Sequence, residues 1–238
     1  MPGAARMSLR LFCVPYAGGS TAVYRAWRPA VPGWMELCPV ELPGRGHRIA
    51  EPPLATLDAL VHEICAAVAA RPGGRYALLG HSLGALLAFE AARVLQARGL
   101  PPLMLVVSGH GAPHAPRRRK PMAHLPDAAF LTELVALGGT PPGLLADEEL
   151  AALVLPALRA DFTVADAYRP RPGPLLTCPI SVFGGADDSQ VRLTDLEGWR
   201  LYTTESCVVR VLPGGHFFVH DMAEDILRPL RAREPSAR

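Results

Sequence analysis

The pentapeptide Gly80-His81-Ser82-Leu83-Gly84 lies between an apolar run of β type, Tyr76–Leu79, and a helical pattern that carries Leu86, Leu87, Phe89 and Val94. A strand that becomes a helix within five residues needs a sharp corner. The flanking glycines leave room for it, because a side chain at either place would collide with the adjoining strand or helix. Such a corner holds Ser82 in a strained conformation and lifts its hydroxyl to the top of a sheet. A strand followed at once by a helix is also the building unit of a parallel sheet, so this one feature directs the chain toward an α/β architecture.

The same alternation recurs along the chain. Leu9–Val14, Met35–Val40, Leu103–Val107, Ile180–Phe183 and Val208–Leu212 are short apolar runs bounded by Gly or Pro and are predicted as buried strands. Leu57, Leu60, Val61, Ile64 and Val68 recur at helical spacing between two of them. A mostly parallel, doubly wound sheet in a single domain over residues 1–238 is expected. Between residues 112 and 174 the alternation fails. Two helical patterns follow each other there, Asp127–Leu137, stopping at Gly138-Gly139, and Asp147–Tyr168, which Pro156 is predicted to kink. This insertion is expected to be a mobile lid, with Gly138-Gly139 and Pro141-Pro142 as its joints.

Composition removes several classes of function. Half the residues are hydrophobic and 19% are charged, which excludes disorder as the main state. The formal net charge of +2 is too small for a nucleic-acid binder. No run reaches the ~20 apolar residues needed to span a bilayer, so no membrane association is expected. Pro15 and Gly18-Gly19 interrupt the N-terminal apolar run where a signal peptide would continue, and the expected location is the cytoplasm. Five scattered cysteines without C-x-x-C spacing are read as small buried hydrophobes, and no metal site is expected. Arg117-Arg118-Arg119-Lys120, between Pro116 and Pro121, is the one dense basic run and is expected to be a solvated loop.

A serine hydroxyl becomes a useful nucleophile when an imidazole takes its proton. His216, in Gly214-Gly215-His216 after the last strand, is the candidate base; the other seven histidines lack that strand-end placement. The imidazole needs a carboxylate, and the chain order Ser, acid, His puts it between the two. Gly185-Ala186-Asp187-Asp188 follows the strand Ile180–Phe183. Both aspartates qualify by position; the register G-x-x-D-x-x-V, read as Gly185, Asp188 and Val191, favours Asp188 and leaves Asp187 as a turn or capping residue. Oxyanion donors are expected from the backbone N–H of Leu83, after the nucleophile, and of Ala17, in the loop Pro15-Tyr16-Ala17-Gly18-Gly19-Ser20 after the first strand.

These residues, together with Phe12–Ser20 (FCVPYAGGS), Glu41–Arg48 (ELPGRGHR), Gly80–Ala85 (GHSLGA), His124–Pro142 (HLPDAAFLTELVALGGTPP), Gly184–Asp188 (GGADD) with Glu197-Gly198-Trp199, and Pro213–Phe218 (PGGHFF), are distinctive in this order. The sequence resembles the type II thioesterases that accompany polyketide synthases and nonribosomal peptide synthetases, over nearly its whole length. The resemblance implies an α/β-hydrolase fold and editing hydrolysis, through an acyl-enzyme, of acyl groups held as thioesters on the phosphopantetheine arm of acyl- or peptidyl-carrier domains. It assigns the triad to Ser82, Asp188 and His216, and implies no cofactor. A monomer is expected, with the basic run 117–120 recruiting an acidic carrier. The competing expectations are a chain-releasing thioesterase or small-ester hydrolase with the same triad, and a non-catalytic binding protein on the same fold.

Overall fold

A computed structural model of the chain describes residues 9–139, 143 and 147–234. Six strands form one sheet in the order β2-β1-β3-β4-β5-β6, and every neighbouring pair is parallel. They are β1 (Leu9–Val14), β2 (Met35–Pro39), β3 (Arg75–His81), β4 (Leu105–Ser108), β5 (Ile180–Gly185) and β6 (Cys207–Leu212). The chain begins at β1, steps to β2 on one side, then crosses back to β3 on the other and continues outward. The order therefore reverses between β1 and β3, and it is outside the carboxyl ends of strands at such a reversal that open α/β sheets bind ligands.

Alternation along each strand divides the core into two layers. Phe12, Val14, Leu78, Leu105, Val107, Ile180 and Val182 face one layer, which also contains side chains of α1 (Leu57–Ala69) and α2 (Leu83–Ala97). Leu9, Leu11, Cys13, Ala77, Leu79, Val106 and Phe183 face the other, with Tyr24 and Trp27 of the 3₁₀ segment Thr21–Ala30 and Ile226, Leu227 and Leu230 of the last helix, Ala223–Arg231. A sheet covered on both faces explains why its strands read as continuous apolar runs. Each fully buried Leu or Phe contributes about 1.5–3 kcal/mol to holding the layers together.

Several boundaries differ from the sequence reading. The third strand runs on through His81, because Gly80 and His81 keep their register with Val14 and Ser108, and the helix starts directly at Leu83. The fourth strand begins at Leu105, and beyond β5 come a short α-helix, Leu193–Glu197, and a 3₁₀ turn, Gly198–Tyr202.

Between β4 and β5 come α3 (Asp127–Leu137) and α4 (Glu148–Ala167). Asp147 caps α4, its Oδ1 accepting from the N–H groups of Glu149 and Leu150, and the helix continues through Pro156 without a break in assignment. Pro141 and Pro142, expected as a joint, lie outside the described residues. Phe130 and Leu134 of α3 pack with Met122 and with Leu158 and Phe162 of α4 in a small third cluster, and Ala17 touches both this cluster and the main core. No helix among the described residues is long and apolar enough to cross a membrane.

Candidate active site

The corner after β3 is as tight as its glycines require. A Cβ on Gly80 would stand 2.0 Å from the Gly84 carbonyl oxygen, and one on Gly84 would stand 2.2 Å from that of Val14. Helix α2 therefore starts in backbone contact with the ends of β1 and β3. Ser82, at φ 54° and ψ −121°, is the one non-glycine residue with positive φ among those described. Its N–H donates to the Ser108 carbonyl across the sheet (2.8 Å), so the strained residue is held by its neighbour strand.

From this corner the side chain of Ser82 meets His216. Ser82 Oγ lies 3.0 Å from His216 Nε2, and His216 Nδ1 lies 2.8 Å from Asp188 Oδ2. Asp188 is fully buried, and its other oxygen accepts the Gln190 N–H at 2.8 Å. Asp187 points elsewhere: its N–H donates to the Gly214 carbonyl and its side chain is exposed. The geometry thus brings together Ser82, His216 and Asp188, and leaves Asp187 outside. Such a chain of groups lets the imidazole take the hydroxyl proton while the carboxylate fixes its tautomer.

Ala17 and Leu83 both line the cavity beside Ser82, and the N–H of neither donates to a protein acceptor among the described residues. The loop Pro15–Ser20 is pinned at both ends. Tyr24 Oη donates to the Val14 carbonyl at 2.9 Å, and buried Glu41 accepts from Thr21 N–H (3.0 Å) and Oγ1 (2.9 Å). Within it, Gly19 N–H donates to the Tyr16 carbonyl (2.9 Å), closing a tight turn around Ala17 and Gly18.

His81, beside the nucleophile, is fully buried with its ring centroid 5.3 Å from that of His216, and its Nδ1 meets Ser108 Oγ at 2.9 Å. Burial first, and then the charge on His216, push its pKa well below the usual histidine value. It stays neutral in the folded chain. Burial likewise brings His110 down to about 4.

A cavity of about 460 Å³ extends from Ser82 and His216 beneath the inserted helices, with Leu134, Leu158 and Phe162 on its apolar side. Its exposed rim carries His114, Arg117 and Arg169. The basic run is an exposed loop, as expected, at Arg117, Arg118 and Lys120, and three of its four side chains also have partners. Arg118 forks onto Asp195 at 2.8 and 3.1 Å. Arg119 pairs with Asp166 at 2.8 Å and stacks 4.7 Å from the Phe162 ring centroid. Arg117 donates to the Ala165 carbonyl (2.7 Å), one of the last carbonyls of α4, where a cation is electrostatically favoured. Only Lys120 of the four makes no such contact among the described residues. The two carboxylates that pair with it, Asp166 and Asp195, come from distant parts of the sequence.

Sequence reasoning missed Asp161, which no local motif marks. It sits on α4, buried, against Arg45 and the loop that carries Ala17.

A family model of the thioesterase domain matches residues 9–233. Over 220 residues the chain is 40% identical to the gramicidin S biosynthesis protein GrsT of Aneurinibacillus migulanus, covering 92% of this chain and 86% of that one. It is 41% identical over 229 residues to the thioesterase PikA5 of Streptomyces venezuelae, covering 94% and 80%. Among solved structures, the RedJ thioesterase of the prodiginine pathway in Streptomyces coelicolor superposes with a TM-score of 0.86 at 39% identity, covering 98% of this chain and 87% of that one. YbtT, a type II thioesterase from the yersiniabactin pathway, does so at 0.88 and 31%, covering 99% and 96%. A serine hydroxyl on a strained corner, an imidazole within hydrogen-bond reach, and likeness over nearly the full chain lead to one family: the chain belongs to the thioesterases, hydrolases of thioester bonds, and has the α/β-hydrolase fold of their type II members.

Proposed function

We propose that this thioesterase removes acyl groups from the phosphopantetheine arm of carrier domains in a polyketide or nonribosomal peptide assembly line, with Ser82 as nucleophile, His216 as base and acid, Asp188 as its carboxylate partner, and the N–H groups of Ala17 and Leu83 as oxyanion donors. Ser82 Oγ attacks the thioester carbonyl as its proton passes to His216 Nε2. The oxyanion is held by the two N–H groups, and collapse expels the thiolate, which takes the proton back from His216. Water, giving a proton to the same nitrogen, then attacks the acyl-enzyme; the Ser82 Oγ–acyl bond breaks, the acid leaves, and His216 returns the proton to Ser82. Each step needs only groups of this chain. The inserted helices act as a lid over the acyl chain. The five cysteines are free thiols, which fits a reducing compartment, and the cytoplasm is the location this reading carries.

The observation that carries the reading is the shape and charge of the cavity. It starts at Ser82, is apolar beneath α3 and α4, and opens at a rim where Arg117 and Arg169 have no carboxylate partner among the described residues. An acyl group on a long thiol arm that ends in a phosphate fits that sequence of surfaces. Hydrolysis of acyl-carrier protein, acyl-phosphopantetheine, acyl-pantetheine and a simple ester of the same acid tests it. The expected order of kcat/KM falls along that series, with the phosphate contribution lost in Arg117→Ala/Arg169→Ala. A preference for the simple ester would transfer the chain to the small-ester hydrolases.

A further inference from the structure

Arg45 and Asp161 form a bidentate ion pair, with Nη1 to Oδ2 at 2.5 Å and Nη2 to Oδ1 at 2.9 Å, and their side chains are only 4% and 1% exposed. The two residues are 116 positions apart, one in the loop after β2 and the other on α4. Asp161 Oδ2 also accepts the N–H of Gly18 at 2.7 Å. One buried carboxylate therefore joins a lid helix, the loop around Arg45 and the loop that carries Ala17.

Gly18 is held by α4 a second time. Its φ is +74°, and a Cβ there would stand 2.3 Å from Leu158 Cδ2, one helical turn before Asp161 on the same face. In the turn closed by Gly19 N–H and the Tyr16 carbonyl, positive φ at its third residue identifies type II, in which the central peptide is flipped relative to type I. That peptide carries the Gly18 N–H. Its acceptor therefore favours the type II form and ties the turn to α4, and so fixes the position of Ala17, the residue before Gly18. An apolar pair could fill the same volume as the ion pair at no loss of stability. What an apolar pair cannot supply is an acceptor for the Gly18 N–H.

We propose that Asp161, held by Arg45, is a positioning residue that sets the turn aiming the Ala17 N–H at the oxyanion, so that the oxyanion hole is complete only while α4 is seated on Gly18. The inference rests on the reading of Ala17 as a donor, and it makes part of the lid a component of the catalytic apparatus.

The test is the double variant Arg45→Met/Asp161→Leu, which removes both charges and so avoids an unpaired buried ion. Thermal melting establishes that it folds, and kcat and KM are measured with a small acyl thioester that needs no carrier. Losing one oxyanion donor outright costs about 10²–10³ in kcat, so a displaced donor should cost roughly ten- to a hundredfold, with KM little changed. Affinity for an acyl trifluoromethyl ketone, which forms a tetrahedral adduct on Ser82, should fall by the same factor, and the Gly18 amide should exchange faster with solvent. A folded double variant with wild-type kcat, or one altered in KM alone, would overturn the proposal. Where the double variant does not fold, Arg45→Ala/Asp161→Ala, which likewise removes both charges and the acceptor of the Gly18 N–H, provides the same kcat, KM and adduct comparison. Ser82→Ala separates the two readings. Retained turnover in Ser82→Ala defeats the site assignment itself, whereas lost turnover there together with an unaffected clamp variant defeats only the clamp.

Discussion

At the scale of single residues, Ser82, His216 and Asp188 form one hydrogen-bonded chain, and groups that act as a unit fail as a unit. Ser82→Ala and His216→Ala should each lower kcat by about 10⁴-fold or more, and the double variant should be hardly worse, as steady-state and single-turnover kinetics would show. Asp188→Asn should cost about 10³–10⁴ in kcat, while Asp187→Asn, on an exposed side chain, should stay near wild type. The strain at Ser82 has its own signature. A residue held in a sparsely populated conformation costs about 1–3 kcal/mol, more than the roughly 0.5–1 kcal/mol that glycine adds to unfolded-chain freedom. Calorimetry should therefore find Ser82→Gly more stable than Ser82→Ala. The buried histidines set a pH dependence. His110 ionises near 4 in the folded chain and near 6.5 unfolded, and His81 also lies well below 6.5. Below pH 6.5 the unfolded chain binds protons that the folded chain refuses, so stability falls as pH drops from 6.5 toward 4 by up to about 1.4 kcal/mol per pH unit for each residue. Urea titrations at pH 7, 6 and 5 should show that slope, and His110→Asn should flatten it.

At the scale of elements, the inserted helices are not equally tied down. From Ala157 to Val164, α4 is largely buried and carries Asp161, and Asp166 further on pairs with Arg119. In α3 only Phe130 and Leu134 are buried. Hydrogen exchange should therefore be faster in α3 than in the second half of α4, and a uniform rate over both would argue for a lid that moves as one piece. The ion pairs of Arg118 and Arg119 set the effect expected of their removal. Replacing Arg118 and Arg119 by Ser should lower melting temperature and slow hydrolysis of small and carrier-bound thioesters alike, because both residues brace the cavity wall. Elements were legible in the sequence where their causes are local: the strands as apolar runs, the corner as G-x-S-x-G, α3 by its stop at Gly138-Gly139 and α4 as the helical pattern Asp147–Tyr168. The order Ser82, Asp188, His216 was legible because a hydrolase corner demands partners at strand ends. Asp161 with Arg45 and Arg118 with Asp195 were not, since a pair separated by 116 or 77 positions leaves no periodicity and exists only once the sheet has brought its loops together.

At the scale of the whole molecule, the cavity has two walls of different origin. One comes from the carboxyl ends of β1, β3, β5 and β6 and carries Ala17, Ser82, Asp188 and His216; the other comes from α3 and α4 and supplies Leu134, Leu158 and Phe162. Phe162→Ala should raise kcat/KM for longer or branched acyl thioesters relative to acetyl, leave the labelling of Ser82 by a fluorophosphonate unchanged, and cost about 3–5 kcal/mol of stability. Loss on every acyl chain alike would show that Phe162 supports the reacting groups rather than the choice of substrate. The strand order, however, has a consequence for descent as well as for chemistry. The residues proposed for bond-breaking precede and follow α3 and α4 in the sequence, so, on the proposed function, drift or recombination within that insertion can alter which acids such a protein accepts while the cutting edge is inherited intact. Gly18 is where the two stretches are stitched. A chimera that imports a foreign α3–α4 segment keeps its edge only if the newcomer brings a carboxylate to the place of Asp161.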